Sequence, residues 1–246
     1  MSSAHRPHLS IPLAVAASLL ASSGVLAHTT ILSQASEGSR ADNALRISHG
    51  CEERDVRAQS AVFPTELPQL AASDPNVVIG DLGEVIEQGG LAGLFRPIQD
   101  TAIFSRQGIL RDPLENAIGF FGSDGRLDRE LSGRVPFEIT APNFVPSSCA
   151  ARLVIEVAIA DLCKPRPRAH PDARFMNLWI PANGSQLAIE AAAAGVDGVG
   201  APARLTVNRN LSANPLGAAC GAGYTVTVTP APEQVDRDLR VPGRWR

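Results

Sequence analysis

Short runs of β-branched and other apolar residues, broken by Gly, Pro, Asn or Asp, recur along the chain, and amphipathic helical periodicity is scarce. This pattern predicts a mostly antiparallel β fold. The candidate strands are Ala44–Ile47, Ser60–Phe63, Ile118–Phe121, Val135–Ile139, Leu153–Ile159, Leu178–Ile180, Leu205–Asn208 and Tyr224–Thr229. Short strands in this number fit a sandwich with long loops. Gly122-Ser123-Asp124-Gly125 has the residues of a tight turn and is expected to close a hairpin. Asp124 and Asp128 read as turn residues in preference to a calcium site. Ala191–Ala194 runs into a Gly-rich stretch, so only a short helix is expected there. Gly195-x-x-Gly198-x-Gly200 has neither the spacing nor the βαβ context of a dinucleotide fingerprint. From Thr229 onward, Pro230, Pro232 and Pro242 predict an extended tail, and Trp245 gives it something to bury against the domain edge. The long segment Leu67–Ser148 holds the apolar runs Leu91–Phe95 and Ala102–Phe104, and reads either as an extended loop against the sandwich or as a partner surface.

The first 27 residues change the picture. They carry a charged start at Arg6, an apolar run from Ile11 to Leu20 and a small-residue cleavage site at Val25-Leu26-Ala27, the plan of a signal peptide. Cutting after Ala27 leaves residues 28–246, read as one domain, with His28 as the new N-terminus. A terminal histidine offers its free amine and its imidazole Nδ1 to one ion. Imidazole and amine nitrogens favour Cu(II) among the divalent metals. Against this stands the fraying of most chain termini.

Composition narrows the function. The formal charge of −3 becomes −4 once Arg6 is removed, Lys164 is the only lysine, and the arginines are scattered. A nucleic-acid footprint is therefore not supported. No second apolar run approaches the roughly 18 to 20 residues needed to span a bilayer, so the mature chain is expected to be free of the membrane. The four cysteines, Cys51, Cys149, Cys163 and Cys220, all follow the cleavage site in a chain bound for an oxidising compartment, which predicts two disulfides. Ala151–Leu162 reads as one long strand, which would hold Cys149 and Cys163 roughly 40 Å apart and excludes that pairing. Two pairings remain. No Cys-x-x-Cys is present to build a zinc or redox site.

Leu45-Arg46-Ile47-Ser48-His49-Gly50-Cys51-Glu52-Glu53 is a strand running into a Gly turn, a cysteine and two acids. With His28 directly after the signal, and with Asp161-Leu162-Cys163 followed by Asn177-Leu178-Trp179-Ile180, it resembles the YcnI-like family of secreted copper-binding domains. The likeness spans about residues 28–66 and, more loosely, 151–180. It implies an Ig-like β-sandwich and the pairing of Cys51 with Cys163, which leaves Cys149 with Cys220. It also implies that His28 is the chelate, Trp179 its aromatic neighbour, and a carboxylate a further ligand, with Glu52 preferred over Glu53. The Pro- and Arg-rich stretch Lys164–His170 lengthens the gap before Trp179, and the membrane helix of some relatives has no counterpart.

Each residue also has a simpler reading. His49 fits a hydrogen-bonded turn, although it would supply a second imidazole if the turn folds toward His28. His170 reads as an exposed loop residue, Trp179 as core or edge packing, and Glu52 and Glu53 as solvated charges. Cu(I) is disfavoured, because Met176 is the only methionine after cleavage and the cysteines are expected to be oxidised. The sequence thus predicts a non-enzymatic, periplasmic or secreted protein that sequesters Cu(II) or hands it to an importer or cuproenzyme. The rivals are a metal-free Ig-like envelope interaction domain and a histidine-brace copper oxygenase using His49 as third ligand. Hydrolase motifs are missing.

Overall fold

The computed structural model describes residues 28–165 and 170–245. The expected signal segment and the middle of the Lys164–His170 stretch lie outside these described residues.

Among the described residues, thirteen strands and two α-helices are formed. The strands are β1 (Thr30–Ile31), β2 (Ala35–Ser36), β3 (Arg40–Ile47), β4 (Ala58–Val62), β5 (Gln69–Ala72), β6 (Phe95–Pro97), β7 (Phe104–Arg111), β8 (Ala117–Gly125), β9 (Gly133–Thr140), β10 (Ala150–Leu162), β11 (Met176–Trp179), β12 (Ala203–Asn208) and β13 (Tyr224–Thr229). The helices are α1 (Gln186–Ala193) and α2 (Pro232–Asp238). A small antiparallel sheet runs β1-β3-β9-β6. The larger sheet is organised by β10, whose first half pairs with β12 and β13 and whose second half pairs with β4 and β11. The pairings β10–β13 and β12–β2 are parallel and the others antiparallel. The fold is thus all-β, built as expected from two sheets and two disulfides.

Strand alternation explains the layering. Leu153, Ile155, Val157 and Ile159 of β10 face the small sheet and join Leu45, Ile47, Val135, Phe137 and Ile139 in one core. Phe63 stacks on Phe95 at 4.1 Å at its centre, with Phe120 and Phe137 around them. The even positions Ala158, Ala160 and Leu162 face the other way and pack against α1, α2 and the C-terminal residues. A β-rich middle layer is therefore covered by a sheet on one side and by helices on the other.

Both disulfides form as the resemblance implied, Cys51–Cys163 with Cα atoms 5.8 Å apart and Cys149–Cys220 at 5.2 Å.

Three expectations are corrected. Gly122–Gly125 is not a hairpin turn but the end of β8, with Gly122 opposite both Gln59 and Gln107. These glycines serve packing: a Cβ on Gly122 would lie 2.5 Å from the Phe104 ring, and one on Gly125 would lie 1.8 Å from the Ile103 carbonyl oxygen. The turn lies instead at residues 112–116, where Asp112 Oδ1 accepts from the backbone of Leu114 and Asn116. Gly122→Ala is expected to cost about 1–3 kcal/mol by overpacking, which urea denaturation would measure. Second, the tail is not extended throughout. Pro232 opens α2, where a missing N–H is harmless, and Glu233 and Arg237 lie at the ends that suit their charges. Trp245 is buried, as expected. Third, the segment Leu67–Ser148 is not an extended loop against the sandwich. It supplies β5 to β9, and Leu91, Leu94, Phe95 and Phe104 enter the core.

Candidate metal centre

At the end of the sandwich where β10 finishes, the inner face of the large sheet turns polar. Asp161 stands between Gln59 of β4 and Asn177 of β11 in register, and all three side chains are buried. Gln59 Nε2 donates to Asp161 Oδ1 at 2.7 Å, and Asn177 Nδ2 donates to the carbonyl of Gly50 at 3.2 Å. Two residues along β11, Trp179 points the same way and its Nε1 donates to Asp161 Oδ2 at 2.6 Å. Burial pushes the Asp161 carboxyl above the usual carboxylate range; Thr29, Gln59 and Trp179 as donors and the neighbouring His49 oppose this, and burial prevails.

The N-terminal arm closes over this group. β1 pairs with the end of β3, placing Thr30 opposite Arg46, and Ser48 Oγ donates to the His28 carbonyl at 3.0 Å. Thr29 is buried, and its Oγ1 donates to the same Asp161 Oδ2 at 2.6 Å. His28 then lies edge-on to Trp179, ring centroids 5.0 Å apart. Its Nδ1 is buried and has no hydrogen-bond partner. A buried polar atom of this kind calls for an explanation, and a bound ion is one of the standard ones.

His49 approaches Trp179 from a second side, at 5.8 Å and also edge-on. Its Nδ1 contacts the Gly50 carbonyl, which can only accept, so Nδ1 donates there and Nε2 is left outside this contact. That Nε2 lies 4.0 Å from Asp197 Oδ2. Both histidines of the sequence reading are therefore brought to one indole. The Cys51–Cys163 bond fixes this arrangement, since it links the turn after His49 to the residues just beyond Asp161.

The Gly-rich stretch contributes in a way its spacing did not reveal. Gly198, at φ 99°, passes so close to β11 that a Cβ would lie 2.6 Å from both the Leu178 carbonyl oxygen and the Trp179 ring. Glycine there lets residues 197–200 pair along the end of β11, bringing Asp197 toward His49. A cleft of about 410 Å³ between residues 28–31 and 200–204 opens beside His28.

The expected acids stand elsewhere. Glu52 is exposed, adopts φ 49° and acts on Arg174, while Glu53 pairs with Arg129. Neither has a hydrogen bond or ion pair with His28 among the described residues. The carboxylates the structure brings to this neighbourhood are Asp161, one hydrogen bond away from both Thr29 and Trp179, and Asp197, 4.0 Å from His49 Nε2. His170 is exposed and faces Glu190 at 3.5 Å. Among the described residues, no group of three or more His, Cys, Asp or Glu side chains is placed to hold a metal. A terminal chelate needs only one side chain, because its other nitrogen is the main-chain amine.

No family model matches the chain, and no curated protein matches it. Among solved structures it is similar to an uncharacterized protein from Nocardia farcinica described as having an immunoglobulin-like fold, with 11% identity and a TM-score of 0.43. The match covers 74% of this chain and 98% of that one.

Proposed function

We propose that this is an exported copper-binding protein that takes up Cu(II) at a mature N-terminal His28 and sequesters it or delivers it to an importer or cuproenzyme of the envelope. The observation that carries the reading is the buried His28 Nδ1 without a hydrogen-bond partner. The donors fit the cargo. The His28 amine and Nδ1 would form the chelate, His49, which rests on the same indole, would offer a further imidazole, and Trp179 would shield one side. The resemblance to the YcnI-like family supports the same assignment of His28 and Trp179. Export to the periplasm or beyond accords with two disulfides. Among the described residues no helix is long and apolar enough to cross a membrane.

Titration of the chain beginning at His28 should show one Cu(II) per molecule. Because copper must displace protons from the amine and the imidazole, affinity should fall steeply below about pH 6. Binding of the same strength at pH 5 and pH 8 would contradict a chelate of this kind. A second reading, a metal-free envelope interaction domain, draws on the lack of three clustered side-chain ligands among the described residues. It predicts indifference to copper at every pH.

A further inference from the structure

Asp161 accepts three hydrogen bonds from three separate parts of the chain, and two of them end on the same oxygen. Oδ2 holds Thr29, the residue after His28, and also Trp179, the ring against which His28 rests. The His28 ring has no hydrogen bond at Nδ1 to orient it. Its placement must come from its contact with Trp179 and from the main chain around it. We infer that Asp161 is a positioning residue for the N-terminal arm, setting where His28 stands relative to Trp179 by gripping both neighbours through one buried carboxylate oxygen. The inference rests on the copper reading for its purpose, because only an arm that carries a ligand needs so fixed a register. Short bonds to a buried carboxylate are the strong kind. The remaining side-chain tether, Ser48 Oγ to the His28 carbonyl, is longer and only part-buried.

Thr29→Val removes the hydroxyl and keeps the branched shape, leaving Asp161 bound to Trp179 and Gln59. Two quantities are read on the chain beginning at His28: Cu(II) affinity by competition titration, and, in metal-free protein, the rate at which an aminopeptidase releases His28, followed by mass spectrometry. Copper affinity should fall roughly 10- to 100-fold, as for other residues that orient a ligand from behind, and His28 should be released several times faster. Asp161→Asn should stay close to the parent in both. Its amide oxygen can accept from Thr29 and Trp179, and its amide nitrogen can donate to Gln59 Oε1 once the Gln59 amide turns over.

If Thr29→Val changes neither quantity, Asp161 does not hold the arm and the inference falls. It falls equally if Asp161→Asn weakens copper as much as Thr29→Val while releasing His28 at the parental rate, for then the carboxylate acts by charge. A parent that binds no copper, with His28 still released faster from Thr29→Val, would sink the copper reading and leave the positioning role standing.

Discussion

Replacing Cys51 and Cys163 together by alanine should lower stability by about 4 to 5 kcal/mol, the chain-entropy value for a cross-link closing a loop of about a hundred residues. The two cysteines are 112 residues apart. The Cys149–Cys220 bond spans 71 residues, and the same logarithmic law makes its removal roughly 0.4 kcal/mol cheaper. Burial widens the gap. Cys51 and Cys163 are buried beside Asp161 and the His49 turn, whereas Cys149 and Cys220 are only half-buried, so the first replacement also opens a cavity. Urea denaturation of the two double variants would measure both losses. Equal losses would mean that the surroundings of Cys51 add nothing to its cross-link.

Trp179→Ala should cost about 3–5 kcal/mol, the usual range for emptying a fully buried aromatic site. The loss has two parts. The indole fills the core end where β11 meets residues 197–200, and its Nε1 supplies one of the three hydrogen bonds on a buried carboxylate. Both histidine rings would lose the surface they rest against. Trp245→Ala is the informative comparison, because Trp245 is equally buried but packs in the opposite layer with α2. It should destabilise to a similar extent and leave the N-terminal arm and copper affinity as they are. A Trp179→Ala protein that unfolds near the parental urea midpoint would contradict the role given to this end of the core.

The fold was most legible where strands are central. Tyr224–Thr229 alternates strictly and is β13 residue for residue, and the long apolar run Ala151–Leu162 is β10 with one residue added. Short edge strands left no signal: β1 and β2 have two residues each, too few for any period to show. The glycines at 122 and 125 read as a turn because their partners, Phe104 and the Ile103 carbonyl, come from the start of β7 and the residue before it, which local reading cannot place. Proline misled similarly at Pro232, which starts a helix although it would break one further in.

In the candidate site, His28, His49 and Trp179 could be named from the chain because each lies beside a recognisable feature, the cleavage site, the Gly turn or the second strand. Asp161 could not. At the end of an apolar strand it looks like the point where the chain leaves the core, and only the register of β4, β10 and β11 sets it beside Gln59 and Asn177 out of water. Glu52 and Glu53, singled out by their closeness in sequence to Cys51, are exposed and meet Arg174 and Arg129.

The most direct test compares copper binding by the chain beginning at His28 with binding by the same chain acetylated at the His28 amine, by titration with electron paramagnetic resonance. Acetylation turns the His28 amine into an amide, brings no new amine and leaves every side chain in place. The account predicts one tight Cu(II) with nitrogen couplings in the first protein and binding weaker by on the order of a hundredfold or more in the second, the effect of losing one chelating nitrogen. Equal binding in both, weak or strong, would contradict it.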